Sequence, residues 1–70
     1  MEKIKLAIVG IGAIAFVHAR GLERVDGAEL VAICDTDVPK LNYTGGLFGI
    51  DRRYEDYKEL LAQPDIDAVI

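Results

Sequence analysis

The 70-residue sequence has no tryptophan, one cysteine, one histidine, one methionine and two prolines. With Cys34 alone, an internal disulfide and a cysteine-based zinc site are both excluded, and a reducing compartment is the natural setting. A single histidine, His18, removes most zinc and catalytic-dyad arrangements. Positive charge is also scarce, with 8 Lys and Arg against 12 Asp and Glu for a net charge of −4. Nucleic-acid binding needs a basic face, so no nucleic-acid partner is expected. The one basic pair, Arg52-Arg53, is followed by Glu55 and Asp56 and reads as a solvated loop. Long apolar runs are missing too: the twelve residues from Leu6 to Val17 are too few to cross a bilayer as a helix. Lys3 and Lys5 before that stretch mimic the start of a secretory signal, but two glycines interrupt it and no clear small-residue cleavage site follows. No membrane association and a cytoplasmic location are the expectations.

What is present is the composition of a folded segment, 51% apolar and 29% charged. Its length allows at most one small domain. Ile4 to Val9 is a continuous, β-branched-rich run, as expected of a strand buried on both faces. From Ala13 to about Arg24 the period becomes helical, with Ala15, His18, Ala19 and Leu22 on one face, and Asp26-Gly27 ends the helix. Leu30 to Cys34 reads as a second buried strand. Asp37 is placed to cap a second helix, with Pro39 in its first turn and Leu41 and Phe48 on one face. Gly45-Gly46 lies inside that helix at about 1 kcal/mol per glycine, so it is expected to be short, frayed or broken near Thr44.

After a short third strand, Asp56-x-x-Glu59 resembles a capping box for a helix with Tyr57, Leu60 and Leu61 turned inward, stopped by Pro64. Ile66 to Ile70 begins a further strand. The order β-α-β-α-β-α-β implies an α/β fold with a doubly wound parallel sheet, truncated within its fourth strand.

Two glycines stand where the first strand should meet the first helix. Gly10-Ile11-Gly12-Ala13-Ile14-Ala15 reads G-x-G-x-x-A, the arrangement of a Rossmann dinucleotide site. Gly10 permits the tight turn, Gly12 lets backbone approach a pyrophosphate, and Ala15 allows helix and strand to pack closely. The first amides of the helix, with its dipole, attract an anion. An acidic residue is required at the end of the next strand, and Asp35 is there. Its carboxylate would accept from the ribose hydroxyls of an adenine dinucleotide and repel a 2′-phosphate, with no Arg at Thr36 or Asp37 to offset it. NAD is therefore expected in preference to NADP.

Other residues receive plainer readings. His18 and Cys34 are expected to pack in the core. Asp65 and Asp67 solvate or cap the turn before the last strand, and Tyr43, Tyr54 and Tyr57 are packing residues. Methyltransferases, which share the glycine loop, usually carry an acidic residue just before the first glycine, where this chain has Ile8-Val9. Two alternatives stay open: a non-catalytic nucleotide-binding regulator, and an inert scaffold that self-associates through open sheet edges.

The stretches KIKLAIVGIGAIAFVHARGL, AELVAICDTD and FGIDRRYEDYKELLAQPDIDAVI resemble the amino-terminal portion of the glucose–fructose oxidoreductase, inositol dehydrogenase and rhizopine-catabolism family (Gfo/Idh/MocA). The resemblance covers nearly all of the chain and is weakest at Asn42 to Leu47. It implies that residues 1–70 are the N-terminal part of an NAD(P)-binding Rossmann domain, with a C-terminal substrate domain outside this sequence. It further implies hydride transfer between nicotinamide and a sugar, cyclitol or related polyol, and a homo-oligomer. Carried over by position, Gly10, Ile11, Gly12, Ala13 and Ile14 would contact the pyrophosphate, and Asp35 with Thr36 the adenine ribose. The family's Glu-Lys-Pro lysine and its acid–base residues have no counterpart in these 70 residues, so no catalytic residue is assigned and the chain alone is expected to be inactive.

Overall fold

In the computed structural model, residues 3–12, 20–21 and 26–70 are described. Four strands form one sheet: β1 (Ile4–Val9), β2 (Ala28–Cys34), β3 (Arg52–Tyr54) and β4 (Ala68–Val69). Among the described residues, α1 (Val38–Phe48) lies between β2 and β3, and α2 (Tyr57–Leu61) between β3 and β4. Arg20 and Gly21, which precede β2, are helical, and the rest of the helix expected from Ala13 to Arg24, with His18, lies outside the described residues.

Every strand pair is parallel, and the spatial order is β3-β2-β1-β4. The chain steps outward from β1 to β3 and then crosses back to place β4 on the far side of β1. That reversal creates a switch point between β1 and β4, where open α/β sheets bind ligands at the carboxyl ends of their strands. This is a Rossmann-type sheet.

Both sheet faces are covered towards the carboxyl ends of β1 and β2, which is why those halves, Leu6 to Val9 and Leu30 to Cys34, are apolar throughout, whereas Lys5 and Glu29 stand near the strand starts. Ile8 and Ile33 point to one face and pack with Ile11, Leu41 and Ile50. Their chain neighbours Ala7, Ala32 and Cys34 point to the other and pack with Leu60. The small residues on that second face let Leu60 approach the sheet until it is fully buried. A register shift between Leu6 and Ala7 pairs Leu6 with Leu30 but Ala7 with Ala32, a bulge that keeps both faces in phase.

The helix expected after Asp37 departs from expectation. α1 runs unbroken through Gly45-Gly46 for 11 residues. Its start is as expected: Asp37 caps it by accepting from the Lys40 amide at 3.2 Å, and Pro39 lies in the first turn. Gly49, with φ +68°, ends it in the left-handed region that favours glycine. What offsets the glycine cost is contact with β3. Arg53 lies across the helix at Gly45, where a Cβ would collide with the guanidinium. Its Nε donates to the Ile50 carbonyl at 2.7 Å and its Nη1 to Asn42 Oδ1 at 3.3 Å.

Arg52-Arg53 is therefore strand, not solvated loop, and the two side chains serve opposite faces. Arg52 forms a two-pronged pair with Asp65, at 2.6 and 2.9 Å. In α2 only Leu60 turns inward; Tyr57 and Leu61 are more than half exposed, because the helix is too short to bury more than one position. Tyr43 is exposed as well, whereas Tyr54 packs on the second core. The last strand is shorter than Ile66 to Ile70, but bonds from Asp67 N to Lys5 O (2.8 Å) and Ile70 N to Ala7 O (2.9 Å) extend its pairing.

Candidate dinucleotide site

At the carboxyl end of β1 the chain turns sharply. Gly10 has φ +86°, which only glycine adopts without strain, and its amide donates to the Cys34 carbonyl at 2.9 Å. The turn is thereby fastened to the end of β2. Ile11 follows and is buried in the first core, its side chain an anchor for the loop. Gly12 is exposed. Among the described residues, no heavy atom lies within 4 Å of where a Cβ would stand at Gly10 or Gly12. The space beside this bare backbone is thus open with respect to those parts of the chain.

Asp35, the residue after β2, sits beside this loop. Its Oδ2 accepts from the Ile11 amide at 2.8 Å and its Oδ1 from the Asp37 amide at 2.8 Å. One carboxylate therefore links the glycine loop to the turn that opens α1. These backbone donors, Asp37 first and then Ile11, hold its carboxyl below the ordinary aspartate range, with a further contribution from the charge of Lys40. An ionised carboxylate offers about four lone-pair sites, so two accepted bonds leave capacity for further donors.

Among the predicted positions, Gly10, Ile11, Gly12, Asp35 and Thr36 come together at the carboxyl ends of β1 and β2, while Ala13 and Ile14 lie outside the described residues. Sequence reasoning missed that the Ile11 amide is already donated to Asp35. The fingerprint spacing hints at it, since it demands an acid at the neighbouring strand end, but the contact itself is tertiary.

A cleft of about 190 Å³ opens beside Asp35, lined by Val9, Gly10, Cys34, Asp35, Thr36, Glu55 and Tyr57. Cys34 is buried at its base; burial first, then the nearby negative charges led by Asp35, pushes its thiol pKa up, so it acts as a small hydrophobe and not a nucleophile. A larger hollow of about 360 Å³ lies at the opposite end of the strands, between Lys3, Lys5, Glu29, Asp65 and Asp67. There Asp67 accepts from the Lys5 amide at 2.7 Å, and Lys5 Nζ lies 3.8 Å from Asp65. Asp65 and Asp67 thus tie the strand ends together. No group of three or more His, Cys, Asp or Glu among the described residues could hold a metal ion, and no described helix is long and apolar enough to cross a membrane.

A parallel sheet with this strand order, a glycine turn after β1 and an acid after β2 defines a dinucleotide-binding fold. Residues 4–70 match the Gfo/Idh/MocA family described as oxidoreductases with an NAD-binding Rossmann fold, and the chain belongs to that family. It is 36% identical over 69 residues to D-apiose dehydrogenase of Paraburkholderia graminis, covering 99% of this chain and 18% of that protein. An oxidoreductase from Agrobacterium radiobacter, solved with NAD+, L-tartaric acid and magnesium, superposes with a TM-score of 0.90 at 39% identity, over 96% of this chain and 20% of that one. The scyllo-inositol dehydrogenase of Lactobacillus casei, solved with NAD(H) and scyllo-inositol, gives 0.89 at 28% identity, over 99% and 21%. The chain spans about a fifth of the length of the relatives it matches.

Proposed function

We propose that these 70 residues are the N-terminal, cofactor-holding part of an NAD-dependent dehydrogenase that oxidises a sugar, cyclitol or related polyol. The carrying observation is the Asp35 carboxylate, which bonds the glycine loop with one oxygen and keeps lone pairs for a ligand. Among the described residues the space beside Gly10 and Gly12 is open, which leaves room for a pyrophosphate whose charge loop amides would match. Gly12, Ala13 and Ile14 would supply those amides. Ile11, with its amide given to Asp35, would hold the loop in shape beneath them. Asp35 and Thr36 would receive the adenine ribose.

When bound, the nicotinamide supplies the hydride chemistry, and the chain supplies position and charge. Asp35 would accept from the 2′- and 3′-hydroxyls. Held ionised by two amides, it would repel a 2′-phosphate, which is the basis for preferring NAD to NADP. The acid–base group and the substrate domain would lie outside residues 1–70, and the working protein would be a homo-oligomer. The relatives named for apiose and inositol support polyhydroxylated substrates.

Asp35→Ala in the intact protein should weaken NAD binding and shrink its advantage over NADP, read by calorimetric titration of both nucleotides. An unchanged preference would count against the assignment. Gly12→Val should abolish binding of both while the far-ultraviolet spectrum of the fold persists.

A further inference from the structure

Asp35 is fastened in two different ways. Its backbone belongs to the sheet, because its amide donates to the Tyr54 carbonyl at 3.1 Å. Its side chain is set by two amides from outside the sheet, Ile11 on Oδ2 and Asp37 on Oδ1, each at 2.8 Å. The last torsion of an aspartate is broad, so a bond to one oxygen alone leaves the carboxylate free to turn about Cβ–Cγ. A bond to each oxygen fixes the carboxylate plane, and with it the direction of the lone pairs that stay open.

The Asp37 amide comes first among the groups that hold the Asp35 carboxyl below its usual range. That amide is in turn held by its own residue. Asp37 is extended, with φ −82° and ψ 96°, and its carbonyl already accepts from the Leu41 amide at 2.9 Å as α1 begins. Its side chain accepts from the Lys40 amide at 3.2 Å. The backbone that this cap fixes in the first turn is the same backbone that aims the Asp37 N–H back at Asp35.

Building on the dinucleotide reading above, we infer that Asp37 is a positioning residue for the nucleotide: its side chain closes the first turn of α1, and that turn aims the amide that sets the Asp35 carboxylate for the ribose. The Asp37 carboxylate acts on the helix and not on the nucleotide. What it controls is the fraction of molecules whose Asp35 is held ready for the hydroxyls, and apparent affinity falls in proportion to that fraction.

The test uses the intact protein, titrated calorimetrically with NAD, with the Asp35 carboxyl carbon followed by NMR. Asp37→Ala should weaken NAD binding by roughly twofold to thirtyfold, the range set by loss of one N-cap. Asp37→Asn and Asp37→Ser, which also cap, should restore it. The Asp35 titration separates positioning from simple charge. Removing a neighbouring negative charge would by itself lower the Asp35 pKa, whereas releasing the Asp37 amide raises it. Asp37→Ala should therefore raise that pKa, and Asp37→Asn should not. If Asp37→Ala lowers the melting temperature but leaves NAD affinity and the Asp35 titration unchanged, the cap is merely structural and the inference fails. It fails too if Asn and Ala weaken binding equally, since charge and not the cap would then be at work. In both cases the dinucleotide reading stands, provided Gly12→Val abolishes NAD binding. If the unmodified protein binds no NAD, both fail.

Discussion

Asp35 shows how one side chain can tie a glycine loop to the start of a helix. Because its amide partners favour the charged form, its pKa in the folded chain lies below the unfolded aspartate value of about 3.9. The latch therefore contributes fully above that value and is lost as pH falls through the depressed one. Asp35→Asn would place an NH₂ group against one of two amide donors and should cost about 1–3 kcal/mol at neutral pH. Thermal melts should show that difference shrinking towards pH 3. The neighbouring glycines of α1 separate two effects in the same way. Gly46 is exposed with open space around it, so Gly46→Ala should stabilise by about 0.5–1 kcal/mol. Gly45→Ala gains the same helix propensity but displaces Arg53 from the Ile50 carbonyl, a charged hydrogen bond of about 1.5–3 kcal/mol, and should destabilise. In an Arg53→Ala background the sign should reverse, which a double-mutant cycle by urea denaturation would read.

At the scale of elements, most boundaries follow from local chemistry. Asp37 and Asp56 each accept an amide of the helix they open, from Lys40 and Lys58 respectively. Gly27 and Gly49, with φ near +88° and +68°, mark turns where the next element begins. The weak element is β4, two residues long and held to β1 by few bonds. Arg52 reinforces the approach to it by fastening β3 to Asp65, whose carboxyl that guanidinium holds below its usual range. The tie is complete above the ordinary carboxylate range and weakens as pH falls through Asp65's depressed value. Arg52→Met should leave β1 and β2 protected in hydrogen exchange and speed exchange at Asp67 and Ile70. Equal protection at those two amides would show that the pair is idle.

For the whole molecule, the sheet divides a small core into two thin layers, so each large buried side chain counts heavily. Leu60 is the main residue under α2, facing Ala7, Ala32 and Cys34, and Leu60→Ala should cost about 2–5 kcal/mol. Small domains have little stability in reserve, so this change should lower the melting temperature by many degrees. Cys34 reports on the same layer. Buried and with its thiol pKa raised, it should react with a maleimide only as the sheet opens, and Leu60→Ala should accelerate that labelling.

The succession of strands and helices from β2 onward, the glycine turn and the acid after β2 were legible in the sequence, because periodicity, capping and turn chemistry depend on neighbours along the chain. Continuity of α1 through Gly45-Gly46 was not, because Arg53, which occupies the space that glycine leaves, lies on another element. The Arg52-Arg53 pair misled for the same reason: its partners Asp65 and Ile50 are recognisable only once β3 has been placed beside β2. Tyr57 and Leu61 followed the apolar pattern yet stayed exposed, since a five-residue helix presents one position to the sheet. The bond from the Ile11 amide to Asp35 joins residues 24 apart and exists because β1 and β2 are adjacent and parallel. Residue types alone pointed to the groups proposed for a dinucleotide; strand order decided which of them are bonded to each other.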